Sequence, residues 1–317
     1  MNFLVTGGAG FIGSHVCERL LHDGHAVWAF DDLNPFYDPQ LKRRNLRNIQ
    51  SLAKPFEFVH GDLCDAAALD GLFSSVKFDQ VIHLAARAGV RPSLAEPALY
   101  QRVNVEGTVN VLEAMRKQGA RKIVFASSSS VYGVNSKVPF SENDPIFSAV
   151  SPYAASKLAC ESLGHVYHHV YGMDVTALRL FTVYGPRQRP DLAIRKFATL
   201  IQAGKPVPVF GDGSMARDYT YVTDTVDGII AATRKDFGFR IFNLGESQTV
   251  TLSRLLELLE GALGKKAVID RQPKPAGDVP ITFADISRAR DELGYRPQIQ
   301  IETGIRLFID WFQRSFK

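Results

Sequence analysis

The chain has 317 residues, 45% of them hydrophobic and 22% charged, with a formal net charge of +4. This is ordinary globular composition, enough for one large unit or two coupled ones, with no low-complexity tract or internal repeat. Basic and acidic residues are interspersed, which argues against a nucleic-acid partner and fits a small anionic substrate, and no apolar stretch approaches the roughly 20 residues needed to cross a bilayer.

Met1 to Thr6 reads as a buried strand, leaving no room for a signal leader. Apolar runs rich in β-branched residues then alternate with segments of helical period. Strands are predicted at Phe3–Thr6, Ala26–Asp31, Glu57–His60, Val81–Leu84, Lys122–Ser127 and Asp174–Arg179. Helices are predicted at Gly13–His22, Asn104–Gln118 and Tyr153–Tyr171. Such a βαβ series, with strands apolar on both faces, predicts an α/β fold: a doubly wound, mostly parallel sheet of Rossmann type. Lys42, Arg43, Arg44 and Arg47 read as a solvated helix face, and disorder is expected nowhere except near Asn34 to Ser51.

After Arg179 the rhythm breaks at Gly185-Pro186, Gly204-Lys205-Pro206, Gly211-Asp212-Gly213 and Pro273 to Pro280. Helices return at Leu252–Leu263 and Ile286–Leu293, the second closed by Gly294. A smaller mixed α/β C-terminal lobe is therefore expected over the carboxyl edge of the sheet. The division expected is 1–180 for the dinucleotide domain, rejoined by about 218–243, with 181–217 and 244–317 forming the substrate lobe.

The first strand runs into Gly7-Gly8-Ala9-Gly10-Phe11-Ile12-Gly13 and then a helix. In that setting the glycines permit a tight turn and close backbone approach, and the amides at the helix start face a pyrophosphate. The second strand ends in Asp31-Asp32, about 20 residues on, where a carboxylate accepts from adenosine ribose hydroxyls and repels the 2′-phosphate of NADP. NAD is the expected cofactor, although Lys42 and Arg43 could swing in. Asp62 either meets the adenine edge or is an ordinary turn aspartate.

Tyr153-Ala-Ala-Ser-Lys157 sets a phenol and an ammonium one helical turn apart on one face. A tyrosine is a poor base near neutrality, but an adjacent ammonium and a positive nicotinamide ring favour its phenolate, so Tyr153 could take a hydroxyl proton as hydride leaves the same carbon. The run Ser127-Ser128-Ser129-Ser130 supplies hydroxyls to bridge substrate and Tyr153. His83 reads as a satisfied core histidine. His165 and His169 have metal-ligand spacing but no partner motif, and Cys17, Cys64 and Cys160 lack any Cys-x-x-Cys spacing; no metal site or disulfide framework is expected, and a reducing cytoplasm fits.

The glycine loop, His83-Leu-Ala-Ala86, Asn104-Val-Glu-Gly-Thr108, Ser128-x-x-Val-Tyr-Gly133, Tyr153-x-x-x-Lys157, Arg217-Asp-Tyr219 and Gly277-Asp278 together resemble the nucleotide-sugar epimerase/dehydratase family of extended short-chain dehydrogenase/reductases. Within it the chain is most similar to the UDP-glucuronate 4-epimerases. The resemblance implies Ser128 as catalytic hydroxyl, Tyr153 as base and Lys157 on the nicotinamide ribose. It implies cofactor contacts from Gly7, Gly10, Phe11, Ile12, Gly13, Asp31, Asp32, Asp62, Leu63, Leu84, Ala85, Ala86 and Asn104. It also implies substrate contacts from Arg87, Ser128, Ser130, Thr182, Arg189, Arg217 and Asp278, and a homodimer built on the helices Asn104–Gln118 and Tyr153–Tyr171.

Dehydratases and decarboxylases of the family resemble a Thr-Asp-Glu or Thr-Ser-Glu pattern where this chain has Ser128, Ser129 and Ser130. No carboxylate there is available to eliminate water, so C4 epimerisation through a 4-keto sugar is the simpler expectation. The segment Thr182-Val-Tyr-Gly-Pro-x-x-Arg189-Pro-Asp191 resembles the uronic-acid branch. Arg189 is the natural carboxylate clamp, with Arg187, Arg87 and Arg91 as alternatives. UDP-glucose epimerases often carry an arginine where this chain has Pro275, with Lys274 and Arg271 close by. The expected reaction is UDP-glucuronate to UDP-galacturonate, with epimerisation of a neutral UDP-hexose or UDP-N-acetylhexosamine as the alternative, and a non-catalytic nucleotide-sensing protein as a more distant one.

Overall fold

The computed structural model describes residues 1–135, 137–146, 148–273 and 279–315. The amino-terminal half lays down β1 (Asn2–Thr6), α1 (Phe11–His22), β2 (Ala26–Asp31), α2 (Pro39–Gln50), β3 (Phe56–His60), α3 (Ala66–Ser75) and β4 (Gln80–His83). Two short helices, α4 (Val90–Ala95) and α5 (Pro97–Tyr100), and a π-helical turn at Gln101–Glu106 lead into α6 (Gly107–Gln118). Then follow β5 (Lys122–Ser128), α7 (Pro152–Tyr171) and β6 (Asp174–Leu180).

These strands pair in parallel, and a later strand joins them to make a seven-stranded sheet. Alternate side chains explain why the strands read as continuous apolar runs. In β1, Leu4 packs into the cluster of Leu69, Val111 and Cys160 on one face, while Phe3 and Val5 pack with Val16, Leu20 and Ile229 on the other. The strand order reverses between β1 and β4, and the crevice at the carboxyl ends of these two strands is where an open parallel sheet binds its ligand.

The expected disorder between Asn34 and Ser51 is not what the chain adopts. Asp38 caps α2 by accepting from Gln40 N at 2.9 Å, Pro39 sits in its first turn, and Leu46 and Ile49 are buried. Two buried apolar residues one turn apart and a good cap suffice to dock a helix that is otherwise polar. Arg43, Arg44 and Arg47 do face solvent, but Lys42 turns inward and is buried.

Beyond β6 come β7 (Thr182–Tyr184), α8 (Ala193–Gln202), β8 (Pro206–Phe210), β9 (Ala216–Arg217), β10 (Tyr219–Tyr221) and α9 (Val222–Thr233). β11 (Phe239–Leu244) returns to the main sheet beside β6. The chain ends with β12 (Val250–Thr251), α10 (Leu252–Leu263), β13 (Val268–Gln272) and α11 (Ile301–Ser315). Three two-stranded ribbons, β7 with β10, β8 with β13 and β9 with β12, complete the described strands. The predicted helix near Ile286 is a short turn whose π-helical part, Ala289–Leu293, stops at left-handed Gly294 (φ 72°). Among the described residues no helix is long and apolar enough to cross a membrane.

Candidate active site

A cavity of about 480 Å³ runs along the crevice, from the first glycines past Asp32 and Asp62 to Tyr153, Thr182 and Arg189. Its floor is the turn after β1. Gly7 has φ 70° and donates to Phe30 O at 2.7 Å, and Gly10 N donates to Gly7 O at 3.0 Å. A Cβ on Gly13 would lie 2.1 Å from Gly7 O, and one on Gly7 would lie 2.8 Å from Ala85 N. Side chains are excluded because three backbones touch here. The start of α1 at Gly10 carries no side-chain cap, so its amides and partial positive charge are left for an anion. This cradle fits the diphosphate of a dinucleotide.

At the end of β2 the two predicted aspartates divide. Asp31 is buried and accepts from Ala9 N (3.2 Å), Leu33 N (2.9 Å) and Lys42 Nζ (2.9 Å). Asp32 has a half-exposed carboxylate and accepts from Asn34 N at 2.9 Å. Lys42 is thus pinned to Asp31 and is not available to receive a 2′-phosphate. Asp62 lines the cavity and also closes its own turn by accepting from Cys64 N at 2.9 Å.

His83, at the end of β4, is the satisfied core histidine expected. Its Nδ1 lies 2.7 Å from Thr6 Oγ1 and its Nε2 lies 3.1 Å from Thr108 Oγ1. Burial, followed by the Lys157 charge, pushes its pKa down to about 3, so it is neutral at physiological pH. The next residues, Leu84 to Arg87, form the cavity wall. Asn104 is not among the cavity-lining residues. Buried on the π-helical turn, it accepts from Arg87 N (2.7 Å), donates to Arg87 O (3.0 Å) and reaches Ser156 Oγ at 2.9 Å. It braces the wall against α7.

Ser128, Tyr153 and Lys157 meet on one side of the same cavity. Ser151 caps α7 by accepting from Ala154 N at 3.1 Å, which fixes the start of the helix two residues before Tyr153. The Tyr153 ring meets Tyr100 edge-on, with centroids 6.2 Å apart, and Tyr100 is itself tied to Ala88 O at 3.1 Å. Lys157 is buried and donates to Ala126 O at 2.6 Å. Ser128 Oγ accepts from Ser130 N and lies 3.1 Å from Ser130 Oγ. Beneath them is a pair that sequence reasoning missed: Arg179 grips Glu161 through Nε (2.9 Å) and Nη2 (2.7 Å), and Ser127 Oγ donates to the same carboxylate. Glu161 follows Lys157 by four residues, the one signal that could have drawn attention to it.

Thr182, Arg87 and Arg189 also line the cavity, with Phe36 and Tyr37 from the loop after β2. Arg187 is directed elsewhere, to Glu18 at 2.7 Å, and Arg91 lies over Phe210 at 4.4 Å. Arg217 is not among the cavity-lining residues, and its Nη1 donates to Ala216 O at 2.9 Å. Lys274, Pro275, Gly277 and Asp278 lie outside the described residues.

Asp218, in the middle of the Arg217-Asp-Tyr219 motif, is an anchor: it accepts from Glu246 N, Ser247 N and Ala284 N at 2.7 to 3.1 Å. Beside it, burial and then the Asp224 and Asp218 charges push Glu246 up to about 8. A raised carboxyl stabilises the fold below its unfolded value, about 4.3, and that contribution is lost as pH climbs through the folded value. Glu246→Gln, neutral throughout, is expected to melt close to the native protein at about pH 4.5 but several degrees higher at about pH 8.5. Calorimetric midpoints at the two pH values test this, and an offset independent of pH would contradict it.

A parallel sheet with a glycine cradle at its switch point, and a Tyr-x-x-x-Lys pair lining the same cavity as a strand-end serine, define an enzyme of the extended short-chain dehydrogenase/reductase class. The chain belongs to the family described as GDP-mannose 4,6 dehydratase, whose model matches residues 4–308. A UDP-glucuronate 4-epimerase of Thermodesulfobacterium geofontis is 42% identical over 316 residues, covering 99% of this chain and 97% of the relative. The crystal structure of a UDP-glucuronic acid 4-epimerase from Bacillus cereus, in complex with UDP-glucuronic acid and NAD, superposes with a TM-score of 0.93 at 34% identity, covering 99% of this chain and 100% of that one. A UDP-glucose 4-epimerase of Thermotoga maritima, with UDP-glucose, gives 0.92 at 33% identity, covering 100% of both chains.

Proposed function

We propose that the protein is an NAD-dependent epimerase that inverts C4 of UDP-glucuronate to give UDP-galacturonate. One observation carries the choice of reaction: among the described residues, the carboxylates lining the cavity are Asp31, Asp32 and Asp62, which belong to the segments at the ends of β2 and β3 and not to the serine run. Among the described residues no cavity-lining acid belongs to the run Ser128, Ser129 and Ser130 to drive elimination, although the family model is named for a dehydratase. Removal and return of hydrogen at C4 needs a single acid-base group, Tyr153, with hydride passing to the bound cofactor and back.

Gly7, Gly10, Gly13 and the amides of Phe11 and Ile12 would hold the cofactor diphosphate. Asp32, with the freer acceptors, would take the adenosine ribose beside Asp31. Asp62 and Leu63 would meet the adenine, and Leu84, Ala85 and Ala86 would flank the cofactor. Bound NAD supplies a hydride acceptor that later becomes the donor. Tyr153 accepts the C4 hydroxyl proton, relayed or steadied by Ser128, and Lys157 places its positive charge beside the phenol and the ribose. The 4-keto sugar then turns over, and Tyr153 returns the proton.

Thr182, Ser130 and Arg189 form the sugar end, with Arg87 near the diphosphate. Arg217 and Asp278 are kept as candidates for the UDP end on family likeness alone. The exposed residues Val166, Val170 and Tyr171 on α7 suit the homodimer, and three free cysteines suit a reducing cytoplasm.

Incubation of the purified protein with UDP-glucuronate, UDP-glucose and UDP-N-acetylglucosamine, with products identified by NMR, tests the assignment. UDP-galacturonate from the first alone supports it, and conversion of a neutral sugar in preference overturns it. Arg189→Ala is expected to raise the KM for UDP-glucuronate at least about tenfold, equivalent to about 1.4 kcal/mol. Equal losses on a neutral UDP-sugar would make Arg189 structural.

A further inference from the structure

Arg189 does not hang loosely over the cavity. Its Nε donates to Asp191 Oδ1 at 3.1 Å and its Nη2 to Asp191 Oδ2 at 2.9 Å. The guanidinium also lies over the Phe36 ring, 5.4 Å from the centroid. A bidentate carboxylate on one edge and an aromatic face below fix both the plane and the direction of the group. The side edge is thereby consumed, while the Nη1–Nη2 edge keeps donors for a second carboxylate. Phe36 carries Arg87 as well, 5.6 Å from the centroid, so one ring sets two of the cavity's cations.

We propose that Asp191 and Phe36 are positioning residues that hold Arg189 preformed for the carboxylate of a uronic-acid substrate. The inference rests on the proposed substrate. Asp191 also carries a charge that repels a uronate, so the sign must be decided by magnitude. Asp191 is about two-fifths exposed. Across one guanidinium, at about 7 Å and an effective dielectric of about 20 with physiological screening, the repulsion between two carboxylates changes affinity by about fivefold. Releasing an arginine's rotamer freedom, to be lost again on binding, is worth more than about tenfold. Orientation wins, and removing Asp191 weakens uronate binding.

The test is calorimetric titration of the NAD-loaded enzyme with UDP-glucuronate and with UDP-glucose. Asp191→Asn and Phe36→Leu are each expected to weaken UDP-glucuronate by about three- to tenfold, and by at least about threefold more than UDP-glucose. In an Arg189→Ala background, Asp191→Asn is expected to add less than about twofold, because its effect passes through the missing guanidinium. Tighter UDP-glucuronate binding by Asp191→Asn, or the same loss in the Arg189→Ala background, overturns the inference. A native enzyme that binds UDP-glucose as tightly as UDP-glucuronate sinks the substrate reading and this inference with it. A native preference for the uronate that Asp191→Asn leaves unchanged sinks this inference alone.

Discussion

Tyr153→Phe is expected to lower turnover of UDP-glucuronate by about 10²- to 10⁴-fold, the range set by loss of one positioned acid-base group. The substitution removes a single oxygen. The ring's edge-on contact with Tyr100 and the α7 cap at Ser151 do not depend on that oxygen. Binding of NAD and of UDP-glucuronate should therefore persist, and the loss should fall on kcat and not on KM. Steady-state kinetics with a binding titration distinguishes these cases. Near-native turnover would remove Tyr153 from the reaction, and loss of cofactor binding would show that the phenol's role is structural.

Arg179→Met has the second large expected effect. Arg179 and Glu161 are each only 4% exposed at the side chain, and Arg179 also lies over the Tyr132 ring at 4.8 Å. Removing the guanidinium leaves Glu161 buried with the Ser127 hydroxyl as its remaining partner. Breaking one side of such a pair costs about 3–5 kcal/mol, and a midpoint drop of the order of 5–10 °C follows for a chain of this size. Removing both charges, as in Arg179→Met with Glu161→Leu, should recover most of that stability, because the uncompensated charge is gone. Thermal unfolding of the single and double variants checks both statements. A double variant no more stable than Arg179→Met would show that packing, not the ion pair, dominates there. Since Ser127 is the neighbour of Ser128 and Glu161 lies one turn beyond Lys157, the double variant should still lose turnover.

The sheet and the cradle were legible because their causes are local. Runs such as Phe3–Thr6 and Val81–Leu84 are apolar on both faces only if helices cover both, and Gly7 and Gly13 sit where a Cβ would strike backbone. Tyr153 and Lys157 were legible because one helix carries both. Only the solvated face of α2 was legible, because it outweighs Leu46 and Ile49, and the helix's docking depends on a core that no short window contains. Asn104 shows a different limit: family likeness marked it as supporting the site, but only the fold reveals that it does so by holding the Arg87 backbone and Ser156. Glu161 with Arg179, and Phe36 with Arg189, are contacts between distant segments that periodicity does not report. Asp191 is two residues from Arg189, yet nothing in that spacing says the pair is bidentate.

The central claim is that hydrogen leaves C4 of a UDP-uronate and comes back to the other face of the same carbon. UDP-glucuronate deuterated at C4 is the direct probe, with the product read by NMR and mass spectrometry. The account predicts UDP-galacturonate that retains deuterium at C4, with the carboxyl group intact. Deuterium lost to solvent, or a decarboxylated pentose product, would contradict it.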